Sequence, residues 1–194
     1  MIKRLLIAAT AAVVFFFTFV SGASAQEAYN QMLDLSRPNG HHAVIDLIAG
    51  KLNFQDSRRS FVKGVLIRTP MYDGRFYKVE ITGGRLQVPI ADGKMKEDNY
   101  RELHIEGYDN VRQKYVSTVV NNHIGSDIQL QIGDYDSTQR VFTYMWESEL
   151  LPGEKVTNKL VLKILNPGRY VEEYFEEQKG QFVKVRELDY TKAD

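Results

Sequence analysis

The sequence predicts an all-β protein: an antiparallel meander closed or nearly closed into a barrel, behind a short N-terminal helical cap. Three observations carry this. Short runs of alternating apolar and polar residues recur from about residue 51 to the end, turn-forming residues separate them, and no helix of crossover length lies between them. Short links join antiparallel neighbours, whereas parallel strands need long crossovers. A sheet of about ten strands tends to curl, and closure removes its edges. A two-sheet sandwich is the alternative.

Residues 1–25 read as a secretory signal peptide. Lys3 and Arg4 precede an apolar run from Leu5 to Val20, and Ala23, Ser24 and Ala25 follow as a small-residue cleavage site. The run is shorter than the roughly 20 residues that span a bilayer. Cleavage after Ala25 would leave no stable transmembrane span and would start the exported chain at Gln26. The absence of cysteine fits a bacterial periplasmic or secreted protein that stands on its core rather than on disulfides. Residues 26–194 suffice for one core. Without Lys3 and Arg4 their formal net charge is −2. No dense basic patch appears, so nucleic acid is not an expected partner.

Residues 26–50 are expected to form the cap. Ala28, Met32 and Leu35 share one side of a first helix that Pro38 and Gly40 stop. Val44, Leu47 and Ile48 recur at helical spacing in a second, with Gly50 as its terminator. Residues 51–194 form the barrel domain. Its expected strands begin with "KLNF", "SFVKGVLIRT" and "RFYKVEITG". "RLQVPI" reads as a short separate piece weakened by Pro89, and "ADGKMKEDN" as a polar loop. Strands over 100–108, 114–122, 127–135, 140–148, 159–165, 169–176 and 181–190 complete the chain.

The hairpin "EGYDNVRQKYVSTVVNNH" is the most informative stretch. With Tyr108 opposite Tyr115, alternation puts Glu102, His104, Glu106, Tyr115, Ser117, Val119 and Asn121 on one face. Leu103, Ile105, Val116, Thr118 and Val120 occupy the other. The apolar content of the second face favours its packing inward. In the opposite arrangement the first face lines a cavity, with a few placed polar groups among aromatic walls. Phe142, Tyr144 and Trp146 form an aromatic stripe on a later strand, and Tyr170 and Tyr174 flank Glu172 on another.

No pattern specifies a reaction. His104 and His123 are zinc-type ligands, but this register separates them by about 13 Å along the strands. His41 and His42 are adjacent and point different ways. Ser117 shares a face with His104, yet no nucleophile-elbow sequence surrounds it. The paired glutamates do not establish the carboxylate gap that glycoside chemistry needs. No catalytic residue, metal site or cofactor is assigned.

"RPNGHHAVIDLIAGKLNF", "DGRFYKVEITG", "IEGYDNVRQKYVSTVVNN", "GDYDSTQRVFTY" and "FVKVRELDYTK" together resemble the bacterial DUF1579 family. In the first segment Pro38, His42, Leu47 and Gly50 match its pattern; the "GYDN…KYVST" hairpin carries most of the resemblance. The resemblance implies a lipocalin-like or streptavidin-like barrel of uncharacterised function and supplies no catalytic residues. Two tryptophans of the family pattern stand here as Leu52 and Val119, which would alter any site they wall.

The leading expectation is an exported, non-enzymatic protein that binds a small, largely apolar molecule in a barrel cavity. Glu102, His104, Tyr115, Ser117, Asn121 and Trp146 are its candidate ligand-binding residues. The alternative is a structural or protein-interaction barrel of the cell envelope without a small-molecule ligand.

Overall fold

Ten antiparallel strands run in chain order around a closed barrel, each hydrogen-bonded to its sequence neighbours. They are β1 (Gly50–Asp56), β2 (Lys63–Met71), β3 (Phe76–Pro89), β4 (Met95–Asp109), β5 (Lys114–Asn121), β6 (Gln129–Asp136), β7 (Val141–Leu151), β8 (Glu154–Asn166), β9 (Arg169–Gln178) and β10 (Gln181–Lys192). β1 closes the ring on β10, with Phe54 opposite Tyr190 and Asp56 opposite Leu188. The sandwich is thereby excluded. The computed structural model describes residues 24–193, so the signal-peptide expectation falls outside the described residues except at Ser24 and Ala25. Among the described residues no helix is long and apolar enough to cross a membrane.

The chain divides into two units, Met1–Arg37 and Pro38–Asp194. In the first, residues 24–35 form helix α1, whose end is tied by Ser36 Oγ donating to the Met32 carbonyl at 2.7 Å. In the second, α2 (Gly40–Ile45) and a 3₁₀ turn (Asp46–Ile48) precede the barrel. Asn39 caps α2: its Oδ1 accepts from the His41 N–H, and its own N–H donates to His42 Nδ1. Gly50 does not terminate this helix. It opens β1 at φ +108°, a left-handed conformation that suits glycine.

α2 and the 3₁₀ turn plug one end of the barrel. His42, Ile45 and Ile48 are buried there. Tyr77 Oη donates to Asp46 Oδ1 at 2.7 Å, and Tyr115 Oη donates to the His41 carbonyl at 3.0 Å. His41 stacks on Tyr108 with 4.4 Å between ring centroids. Two hairpin connections at this end share one design. Asp109 Oδ1 accepts from the N–H groups of Val111 and Arg112, and Asp136 Oδ1 does the same for Thr138 and Gln139. Each loop ends on a left-handed residue, Gln113 or Arg140. Short aspartate side chains bond readily to backbone two or three residues on, which is why these short links close.

At the other end the strands overrun the barrel. "RFYKVEITG" and "RLQVPI" are one strand, β3, continued through a register shift between Thr82 and Arg85. Gly83 permits it, since a Cβ there would stand 3.1 Å from Tyr100 Cβ. Most of the expected loop "ADGKMKEDN" belongs to β4; the turn itself spans residues 90–94, and Pro89 pairs with Met95 at its tip. Proline is tolerated at such a ribbon end.

The predicted register holds: Tyr108 lies opposite Tyr115 and Glu106 opposite Ser117. The orientation favoured by apolar content does not. Glu106, Tyr115, Ser117 and Val119 are buried, whereas Leu103, Ile105 and Val120 are each more than a third exposed. The reason is that the interior is not purely apolar. Arg68, Glu106 and Glu172 are among its buried groups, and charged partners from other strands satisfy the polar face.

Candidate functional site

Strand β4 aims every second residue inward, which places Tyr100, Glu102, His104 and Glu106 in one column. Residues two apart on a strand are about 6.6 Å apart, a gap that an imidazole between two carboxylates can fill. His104 Nε2 meets Glu102 Oε1 at 2.6 Å, and His104 Nδ1 meets Glu106 Oε1 at 3.4 Å. Tyr100 Oη donates to the second oxygen of Glu102. Glu106 in turn receives Arg68 from β2, through Nε at 2.8 Å and Nη2 at 3.3 Å. Arg68 Nη1 donates to the Ile48 carbonyl at 2.7 Å and to Tyr170 Oη at 3.3 Å. One polar chain therefore runs from the plug to the far half of the barrel.

The column fixes its own charges. Burial alone would lower the His104 pKa, but hydrogen bonds and charges from Glu102 and Glu106 raise it to about 9. Both ring nitrogens then donate. Burial would raise Glu106, yet the Arg68 charge, with His104, holds it down at about 2. Glu102 is likewise lowered against its burial by His104. Glu172 goes the other way. Burial pushes its pKa up, only partly opposed by hydrogen bonds from Tyr174 and Tyr190 and by Arg68.

Above the Arg68–Glu106 pair the barrel is hollow. A chamber of about 390 Å³ has Trp146, Tyr144, Leu160 and Val119 on its apolar side and Ser117, Gln131, Asn158 and Glu172 among its polar groups. Ser117 is 3% exposed, and its Oγ has no hydrogen-bond partner. A second chamber of about 380 Å³ lies toward the unplugged end, against Phe61, Gly83 and Ile124. The two share Arg59, Tyr100, Glu102, Asn121, Tyr174 and Arg186 in their walls.

Of the residues expected to contact a ligand, Glu102, His104, Ser117, Asn121 and Trp146 line the inner chamber. Tyr115 does not. It is held under the plug, where its ring meets Tyr108 and Phe142 edge-on. His123 is not paired with Tyr100, because β4–β5 pairing ends at Glu102 and Asn121. It stands in the wall of the outer chamber instead. Both nitrogens of His104 are engaged by carboxylates and Ser117 Oγ is unbonded, so the two form no nucleophile–base pair. Among the described residues, no group of three or more His, Asp or Glu is arranged to hold a metal ion.

Arg68, Arg186, Glu172 and Asn158 escaped the sequence reading as site residues. Arg68 had a usable signal: it is two residues from Leu66 on an alternating strand and so shares its inward face. Arg186 likewise keeps the phase of Leu188 and Tyr190. Each was legible as inward-facing, but their partners lie on other strands.

Two expectations follow from the column. Replacing Arg68 with Met leaves Glu106 buried with only the longer contact to His104, which should cost about 3–5 kcal/mol. The double variant Arg68→Met/Glu106→Leu should recover much of that loss in urea unfolding, and a double variant no more stable than the single one would contradict it. The second concerns pH. His104, raised above its unfolded value near 6.5, adds stability that is full below pH 6.5 and lost as pH rises toward 9. Glu106, depressed below its unfolded value near 4.5, adds stability that is lost as pH falls toward 2. Melting temperature should thus peak between pH 4.5 and 6.5, and His104→Gln should flatten the limb from 6.5 to 9.

No curated protein matches this sequence. The family described as "Protein of unknown function (DUF1579)" matches over residues 73–192. That span holds β3 through β10 and most of the inner chamber's lining, while the plug and Arg68 precede it. With more than half of its residues matched, the chain belongs to the DUF1579 family.

Proposed function

We propose that this barrel binds a small polar molecule in its interior, reached through the end opposite the α2 plug. The observation that carries the reading is Ser117. A buried hydroxyl without a partner is costly, and this one faces a chamber large enough for an organic molecule. The lining moves the expected ligand from largely apolar to polar. An apolar guest would exclude water from Ser117, Gln131 and Asn158 and give them nothing in return. The site is built on strands of a closed sheet and held by its own ion pairs, so the chamber is pre-formed.

Trp146, the chain's single tryptophan, stands in the chamber wall and reports on occupancy. In a screen of polar metabolite-sized compounds, binders should change its emission and raise the melting temperature. A ligand at about 100 times its Kd adds about 2.7 kcal/mol. Ser117→Leu, which intrudes on the chamber, should abolish both responses while keeping the far-ultraviolet dichroism of the barrel. If no compound acts on the wild type, the reading fails. The lead then passes to a protein-interaction barrel, favoured by the exposed aliphatic face of Leu103, Ile105, Val120, Leu130 and Ile132.

We further propose that the barrel works outside the cytoplasm, in the bacterial periplasm or secreted. The supporting features are the charged and apolar leader, its small-residue end and the lack of cysteine. Fusing residues 1–40 to alkaline phosphatase, which is active only after export, should yield activity, and Leu5–Val20 deletion should remove it. An inactive fusion of the intact leader would overturn this.

A further inference from the structure

Arg186 is an arginine of the chamber wall that stands outside the β4 column. It follows a register shift in β10 between Lys184 and Arg186, and its guanidinium lies over the Tyr174 ring at 3.8 Å from the centroid. It borders both chambers. Guanidinium offers five donors and no acceptor. Among the described residues Arg186 forms no ion pair, in contrast to Arg68, Arg59 and Arg169, each of which grips a carboxylate. The nearby carboxylate Glu102 is already taken by His104 and Tyr100.

The cations around the inner chamber are not equally served. Arg68 and His104 are held by Glu106 and Glu102, and Arg59 by Asp56; Glu172 and Glu176 also stand in the wall, but neither reaches Arg186 as an ion pair. Among the described residues Arg186 is the lining arginine without a carboxylate in direct contact. Charges withdrawn from water require a partner. Here the unmet partner is an anion, and the walls favour one charge rather than two, because Glu172 and Glu176 stand in the same wall. A phosphate monoester brings about −1.5 to −2 at neutral pH. A carboxylate brings −1 and fits the planar fork of a guanidinium through two parallel hydrogen bonds. The Tyr174 ring covers one face of that fork.

We infer that the ligand is a small organic monocarboxylate: its carboxylate sits on Arg186, and a second polar group reaches Ser117 in the inner chamber. This rests on the binding reading above and names its ligand class. Lys63 at the outer chamber adds a positive charge near the opening that draws anions toward it. The partnered state of Arg59 and Arg85, on Asp56 and Glu97, leaves Arg186 as the anchor.

The test is equilibrium dialysis of the full chain without residues 1–25 against a mixture of small carboxylic acids and their matched primary amides. Hydroxylated and plain members are both included, with mass-spectrometric readout. The wild type should retain acids about ten- to a hundredfold over the matching amides, the range of a charge-assisted hydrogen-bonded contact. Arg186→Gln should erase that preference, and Arg186→Lys, which keeps charge without the fork, should restore part of it. Ser117→Ala should weaken hydroxylated acids more than plain ones. Melting curves establish that each variant folds; should Arg186→Gln not fold, the acid-over-amide ratio of Arg186→Lys decides, with an unchanged ratio counting against the anchor. Equal retention of acids and amides by the wild type overturns the carboxylate inference and leaves the binding reading intact. Retention of neither overturns both. Preference for inorganic phosphate, added as competitor, would replace the carboxylate by a phosphate-bearing ligand and overturn the inference as stated.

Discussion

The ion pair between Arg68 and Glu106 is the contact on which the rest of the interior depends. Each partner alone would be a buried charge that no fold of this size tolerates cheaply. Together they tie β2 to β4, and Arg68 reaches further, to the Ile48 carbonyl of the plug and the Tyr170 hydroxyl of β9. The pair also sets the electrostatic order above it. Glu106 held ionised keeps His104 protonated, and His104 keeps Glu102 ionised. The floor of the chamber is thus a set of mutually satisfied charges, and the groups left without partners lie above it.

This organisation separates the barrel's two ends by chemistry. Under the plug, Tyr77, Tyr115 and Phe142 are all but inaccessible, and the tyrosine hydroxyls are spent on cap carbonyls and Asp46. Packing there leaves no room for a guest. Toward the opposite end the inward residues shift to Gln129, Gln131, Asn158 and Arg186, and space opens between them. One continuous sheet therefore supplies a filled half that stabilises and a hollow half that can bind. The strict alternation of strand side chains makes both possible.

How much of this could be read in advance varies with how local the cause is. Turn chemistry around Asp109 and Asp136 is local, so the hairpin and its register were legible from sequence. Which face turns inward is not local. Counting apolar residues on β4 and β5 favoured Leu103, Ile105 and Val120, because Glu106 looks unburiable until Arg68 is seen 38 positions earlier in the chain. The same limit hid the join of β3, where Gly83 and Gly84 let the strand continue through what reads as a break. Candidate residues on one hairpin, such as His104 on β4 and Ser117 on β5, were found together. Arg186 was not, since its meaning comes from the absence of a partner, which a sequence does not display.

The pairing of β1 with β10 has a consequence in time rather than in space. The barrel's first strand has its second neighbour only when β10 is available, so the ring cannot close until residues 181–192 are free to pair. The seam joins residues some 140 positions apart, the kind of long-range contact that slows folding. Until then the nascent meander has two open edges, with β1 offering unpaired backbone groups at one of them. The arrival of β10, rather than the appearance of any single hairpin, is the event that commits this chain to its native state.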